Sequence, residues 1–494
     1  MMIRVMFYSK TKTVCVALLI IALSGCEALT GFEEFQENPN ETTNATPGLL
    51  LTNLQIAAFN SIDLGATYAS RHAVDVNVPQ DTQYYRWDRL GFGFYYDNLR
   101  QTQKMREEAE RLDNSSMVAV AEVMQVYVFH QLTRRFGDVP YLDALRAEEG
   151  LYQPRYTPQE EIYADLLSRL DQVNQDLADA SEPINGDVVF SGDRIKWRKF
   201  ANSLRLRILI SLSEKQNTGI DYAGQFSQVF NSPGQYPVME SLDDNCQYTY
   251  NEATGDTYPF FNTAAFTSRV MEETLVDLYK AREDPRLFRL AAPADPSVPN
   301  AETSFAAHSG LIASATLQEN SDLLSAGTGS LLDERYLNDP EAEPNLALGY
   351  PEVAFTIAEA AQRGWISADP ETYYNQGIHA SMALYEITGR PVDKNLAGDE
   401  VAYDPANGLE MILTQKYMSM FLNSGWEPFF NQRRTQVPAF DVDQRTVLND
   451  GQVPKRWMYP QKELTSNRDN LTEAVERQFG GNDTIDQEMW LISN

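Results

Sequence analysis

The chemically suggestive residues of this chain are aromatic rather than nucleophilic. Tyr84-Tyr85-Arg86-Trp87, then Tyr95-Tyr96 and Asn98, set flat rings beside amide and guanidinium groups, with Arg71, His72 and Asp75 just upstream. Such rings can cover the apolar side of a pyranose while amides and charges meet its hydroxyls, provided the surface is exposed and preformed. Tyr248, Tyr250, Tyr258, Phe260, Phe261 and Asn262 form a second group. Gly255 and Pro259 favour an exposed loop there, although Phe260-Phe261 also suit an anchor for that loop. Part of either group belongs to the core, because rings of this size are usually well buried.

Signs of catalysis are lacking by comparison. His72, His130, His308 and His379 are scattered without zinc-site spacing, and no nucleophile elbow, P-loop or dinucleotide fingerprint occurs. Asp243-Asp244, or Asp441 with Asp443, could in principle serve glycoside hydrolysis. Among 70 acidic residues such pairs are expected by chance, and a solvated face explains them. Asp483, Asp486 and Glu488 lack the glycine turn and ligand order of a calcium loop. The expectation is a non-enzyme with no cofactor and no assigned metal.

The 70 acidic residues stand against 40 basic ones, a formal charge of −30. That balance argues against nucleic acid as a partner, since counterion release needs clustered Lys and Arg, and it disfavours anionic lipid surfaces too. With 494 residues, 43% of them hydrophobic, the chain can bury a large core.

The N-terminus reads as a secretory leader. Residues 1–25 contain Arg4, Lys10 and Lys12 and no acid, followed by an apolar run from Val14 to Leu23 too short to span a bilayer. Leu23-Ser24-Gly25-Cys26 resembles a bacterial lipobox, in which the cysteine is diacylated and starts the mature chain. The alternative is an ordinary thiol after a conventional cleavage site. With Cys15 in the discarded leader and Cys26 lipidated, Cys246 is the remaining thiol, expected as a buried small hydrophobe, and no internal disulfide can form. Glu27 to Thr46 is polar and reads as a stalk, so the expected order is leader 1–25, lipidated stalk 26–46 and one body, 47–494.

Apolar periodicity dictates the elements that must position these residues. Met117, Val120, Ala121, Met124 and Val128 paint one helix face, and Ile162, Leu166, Leu170, Val173 and Leu177 another. Thr157, Pro158 and Glu160 predict the start of the second by a capping box. Trp197, Phe200, Leu204 and Ile208 continue the pattern, as do Leu409, Ile412, Leu413, Met420 and Phe421. A further pair is expected from Pro351 to Arg363, closed by Gly364, and from Asp369-Pro370 to Thr388. Short β pieces are expected near Gln247 to Tyr250, and an irregular loop insertion around 290–350. Neighbouring helices therefore look like antiparallel pairs of the tetratricopeptide type, at irregular spacing.

A set of strings along the chain resembles the SusD/RagB outer-membrane lipoproteins of Bacteroidetes, in their SusD-like branch. They begin with Asn38-Pro39-Asn40, Thr46-Pro47 and Leu49-Leu50-Leu51, then Phe136-Gly137-Asp138-Val139-Pro140-Tyr141 with Ala144-Leu145. Gln153-Pro154-Arg155-Tyr156, Glu161-Ile162-Tyr163, Gly192-Asp193, Trp197, Lys199 to Leu204 and Arg207 follow. Tyr373-Tyr374, Gly377-Ile378, Ala380-Ser381-Met382, Ile412, Thr414 to Tyr417, Trp426-Glu427-Pro428, Arg433-Arg434-Thr435 and Pro438 complete the series.

The resemblance implies an all-α fold in which about four tetratricopeptide-like helix pairs support a loop-rich ligand-binding part with few short strands. It implies a cell-surface, lipid-anchored outer-membrane protein that captures oligosaccharide or polysaccharide for a SusC-like TonB-dependent transporter. The family's ligand arc draws on the loop near Trp87 and Tyr85, which makes these the first candidates. The full candidate set is Arg71, Tyr84, Tyr85, Trp87, Tyr96, Asn98, Tyr248 and Tyr250. Arg433-Arg434 read as a partly buried ion pair. A peptide or other nutrient on the same scaffold is the second reading, and an all-helical secreted glycosidase the third.

Overall fold

Helices form where apolar residues recur at three-and-four spacing, and strands are confined to short pairs. The computed structural model describes residues 45–60, 62–263, 267–447, 449 and 451–493. Leader, Cys26 and most of the stalk lie outside the described residues. The main helices are α1 (Pro47–Phe59), α2 (Gly93–Arg111), α3 (Ser115–Phe136), α4 (Gln159–Asp179), α5 (Arg194–Ile210) and α6 (Tyr222–Asn231). They continue with α7 (Glu273–Ala281), α8 (Tyr350–Gln362), α9 (Pro370–Ala383), α10 (Gly408–Met418), α11 (Glu427–Thr435) and α12 (Arg468–Phe479). No helix among the described residues is long and apolar enough to cross a membrane.

Sequential helices pack as pairs: α2 on α3, α4 on α5, α8 on α9 and α10 on α11. Between α2 and α3 the link is only Leu112 to Asn114, and Asn114 Oδ1 accepts from Met117 N at 2.9 Å to start α3. Asp369 starts α9 in the same way, accepting from the amides of Glu371 and Thr372. The two helices of that pair lie so close that a Cβ on Gly377 would sit 2.6 Å from the Phe355 ring. The stripe residues Val120, Met124, Ile162, Leu166, Leu170, Trp197, Phe200 and Leu204 are completely buried and belong to one continuous core.

The chain departs from the sequence expectation at several ends. Pro158 precedes α4 without a side-chain cap, and Thr157 instead pairs with Val139 in a two-stranded ladder, β2 (Val139–Pro140) with β3 (Tyr156–Thr157). The capping acceptor comes from afar: Asp138 Oδ1 takes Gln159 N at 2.8 Å. Gly137 makes this turn possible, closing α3 at a φ of 86° that favours glycine. α9 ends at Ala383 rather than Thr388, and α10 at Met418, leaving Met420 and Phe421 buried in the following turn. Within 290–350 the chain forms a helix at Leu317–Ser325, opened by a Thr316/Glu319 capping box, and the strand β6 (Asn345–Leu348).

Two more antiparallel pairs tie distant segments together. β1 (Ala73–Asp75) pairs with β5 (Arg269–Met271), and β4 (Cys246–Tyr248) with β6. β6 and the turn before α11 bring the late part of the chain against α2 and α3, where a deep cleft opens.

Candidate functional site

The cleft has a volume of about 660 Å³ and is walled by rings from five segments, Tyr127 of α3 among them. Trp87 comes from the loop before α2, Phe94 and Tyr95 from the first turn of α2, Trp426 from the residue before α11, and Trp457 from the C-terminal segment. Trp87 and Trp457 stack nearly parallel, 4.8 Å apart and 8° between planes. Trp426 meets both edge-on, at 5.8 and 4.7 Å. Aromatic pairs at these distances and angles add to the stabilisation from burial alone. Hydrogen bonds fix two of the indoles. Trp426 donates Nε1–H to Asp63 at 2.6 Å, Trp87 donates Nε1–H to the Arg456 carbonyl at 3.0 Å, and Phe94, 55% exposed, stands out into the opening.

The 80–90 loop that presents Trp87 is held from behind. Tyr85 adopts φ 52°, a left-handed conformation unfavourable for a side chain of this size. Its hydroxyl donates to the Ala69 carbonyl at 2.9 Å, and the Arg71 guanidinium lies 4.2 Å from its ring centre. Arg71 in turn donates to the Gln83 carbonyl at 2.7 Å. Arg71 and Tyr85 are completely buried, so they fix the loop, and Trp87 touches Tyr85 edge-on at 5.9 Å.

Of the residues singled out in the sequence, Trp87 and Asn98 line the cleft. Arg71 and Tyr85 stand one layer behind it. Tyr84 is buried under Arg86, and Tyr96 donates to the Pro140 carbonyl at 2.6 Å, where β2 begins its turn. Tyr248 and Tyr250 are buried in an aromatic ladder with Tyr258, and the Tyr250 hydroxyl donates to the Asn60 carbonyl. Their strand nevertheless backs the site: Tyr248 is in register with Asn345, which lines the cleft together with Leu346 and Ala347. Phe94, Trp426, Trp457, Tyr127 and Arg135 join the cleft without a local signal in the sequence. The Trp426-Glu427-Pro428 string carries the family resemblance and gives no indication of a ligand wall.

The charged groups of the cleft floor are mostly committed. Glu427 Oε2 accepts from Arg134 Nη1 at 2.8 Å, its Oε1 accepts from Arg134 Nη2, and Arg207 approaches within 3.4 Å. Burial opposes the Glu427 charge, but Arg134 and Arg207 more than offset it and hold the carboxyl well below its usual range. Arg89 pairs with Asp483 at 2.5 Å. His130, beneath the floor, is kept neutral by burial and by Arg134.

Elsewhere, Arg434 does form a buried ion pair, with Glu359, whereas Arg433 donates to the carbonyls of Lys455 and Arg134 and has no carboxylate among the described residues. Asp483 and Glu488 face Arg456 and Lys455, and Asp486 accepts from Asn449. Among the described residues no three His, Cys, Asp or Glu side chains converge as metal ligands. Cys246 is buried, and burial raises its thiol well above the usual range.

An aromatic cleft on a scaffold of paired helices defines a class of ligand-binding proteins, and the comparisons identify the family. Residues 39–460 match the SusD-like family described as "Starch-binding associating with outer membrane", and the chain belongs to it. A chain from Bacteroides vulgatus ATCC 8482, suggested to be an outer-membrane protein involved in nutrient binding, is 35% identical, with a TM-score of 0.85 over 91% of this chain and 100% of that one. A SusD homologue from Bacteroides fragilis NCTC 9343 is 34% identical, with a TM-score of 0.83 over the same shares. A chitin-binding protein is 25% identical, with a TM-score of 0.74 over 90% of this chain and 99% of that one. No curated protein matches the chain. The all-α architecture with helix pairs and few short strands is that of the family.

Proposed function

We propose that this protein is a cell-surface lipoprotein, anchored through Cys26, that captures an oligosaccharide or polysaccharide in the tryptophan cleft and passes it to a SusC-like TonB-dependent transporter. It binds its glycan without turning it over. The observation that carries the reading is the cleft wall: exposed Phe94 and part-exposed Trp426 line the opening, braced by buried Trp87 and Trp457, with Asp88, Arg89 and Gln131 among the polar groups that line it. Stacking against apolar sugar faces combined with hydrogen bonds from fixed polar groups is the chemistry glycan capture requires. The family description and the chitin-binding neighbour support the same class of ligand.

The test is calorimetric titration of the detergent-solubilised protein with a panel of oligosaccharides, beside Phe94→Ala and Trp426→Ala. Heat with one glycan class that falls in both variants, with no hydrolysis products in the mixture, supports capture at this cleft. Binding unchanged in both variants places the ligand elsewhere, and released sugar fragments would overturn the non-catalytic reading.

A further inference from the structure

The cleft is lined by two guanidinium groups, Arg89 and Arg135, and Arg135 is the one with no carboxylate partner among the described residues. Arg135 lies in the last turn of α3, where a cation suits the helix dipole, and the residue is 7% exposed. Its Nη1 donates to the Gln131 carbonyl at 2.7 Å and to Gln131 Oε1 at 3.0 Å. Four rings surround the guanidinium, with centres of Phe430, Tyr95, Trp457 and Trp426 between 5.2 and 5.8 Å from its carbon. No carboxylate among the described residues pairs with it. Its Nε and Nη2 make no hydrogen bond, yet they are not sealed from solvent as Nε of Arg134 and of Arg433 are.

The other ionised groups lining the cleft have partners. Arg89 and Glu427 are ion-paired, Asp63 accepts from Trp426 and from Ala66 N, and Asp88 accepts from Arg89 N at 2.7 Å. Asp81 faces Arg86 at 3.7 Å. Positive charge also accumulates under the floor, where burial, Arg134 and Arg135 push Arg433 down to about 9. A guanidinium edge carrying Nε–H and Nη2–H side by side matches the two oxygens of a carboxylate, and such charge-assisted pairs are roughly twice as strong as neutral ones.

We propose that the cleft selects a glycan bearing a carboxylated sugar, a uronic acid, whose two carboxylate oxygens take Nε–H and Nη2–H of Arg135 while neighbouring neutral sugars stack on Phe94 and Trp426. The inference rests on the glycan reading and refines it. Asp63, Asp81 and Asp88 around the same cleft repel a continuous polyanion, so the ligand carries its acidic sugar within an otherwise neutral chain.

The experiment compares oligosaccharides that differ only at the carboxylate. Aldotetraouronic acid and aldotriouronic acid, each with a single carboxylate on a neutral chain, are titrated beside their carboxyl-reduced forms and a sulfated oligosaccharide, with tryptophan fluorescence and calorimetry as readouts, on the wild type, Arg135→Gln and Arg135→Lys. The expected result is about tenfold or more tighter binding of an acidic form than of its reduced partner. Arg135→Gln removes that preference, bringing the acidic and reduced forms to equal affinity, and Arg135→Lys, which keeps the charge without the fork, falls between. Thermal melts check that the variants are folded, and the lysine variant carries the test if the glutamine variant is not. Equal affinity within each pair, preference for the neutral or the sulfated glycan, or a preference that survives Arg135→Gln overturns the inference. If neutral glycans alone bind, glycan capture stands and the acidic specificity falls; if no glycan on a broad array binds, both fall.

Discussion

Replacing Glu427 by alanine should destabilise this protein more than most single substitutions, and the geometry says where the loss arises. The Glu427 and Arg134 side chains are 4% and 3% exposed, so neither can turn to water when its partner goes. Arg207 keeps Glu352, which accepts from its Nε and Nη2 at 2.7 and 2.6 Å. Among the described residues Arg134 has no second carboxylate; what remains is the Phe430 ring, 4.3 Å from its guanidinium carbon. Breaking a buried pair by removing one member typically costs about 3–5 kcal/mol, because a charge is left uncompensated. Urea unfolding followed by far-UV circular dichroism reads the difference. The same argument predicts partial recovery in the double variant Arg134→Met with Glu427→Leu, within about 2 kcal/mol of wild type, since apolar isosteres remove the stranded charge. A loss below about 1 kcal/mol for Glu427→Ala, or a double variant as unstable as the single, refutes the reasoning.

Glu272 is completely buried, and burial raises its carboxyl to about 7 against the pull of Arg71 and Thr274. The native state therefore holds that proton more tightly than the unfolded chain does, and stability falls by on the order of 3 kcal/mol as pH rises from 4.5 to 7. Glu272→Gln lacks this dependence and should gain on the wild type across that window in pH-stepped unfolding; a constant difference speaks against it. Glu359 behaves oppositely: despite burial, Arg434 and Lys416 lower it to about 2, so the stability it contributes is complete above pH 4.5 and disappears as pH falls towards 2. Glu359→Gln should accordingly be destabilised at pH 7 and approach the wild type near pH 2. Gly377→Val places side-chain atoms into the Phe355 ring and should cost about 1–3 kcal/mol or more, measured by thermal melting. Cys246 should react with a thiol reagent only on unfolding, and stoichiometric labelling of the native protein would contradict its burial.

The helical scaffold was legible in the sequence because its signal is local. The stripe from Ile162 to Leu177 repeats within one element, and every one of its residues is buried in α4. The cap of that helix was not legible, since its acceptor, Asp138, arrives through the β2–β3 ladder and no nearby pattern announces it. The candidate site was half legible for the same reason. Trp87 and Asn98 stand in one aromatic-rich segment, but the rings that complete the wall, Trp426 and Trp457, come from hundreds of residues away and have no pattern of their own. Tyr248 and Tyr250 show the converse: exposed composition in the sequence, buried rings behind β6 in the fold.

The three indoles of the cleft also give the protein an optical property. Trp87, Trp426 and Trp457 are half of its six tryptophans, and their ring centres lie between 4.7 and 5.8 Å apart. At that separation the electronic transitions of the rings couple, so the near-ultraviolet circular dichroism carries a signature of their mutual arrangement rather than of isolated chromophores. A ligand that packs on Trp426 changes this spectrum without any label. The cleft therefore has its own chromophore, and occupancy of the site can be followed separately from the integrity of the helical scaffold.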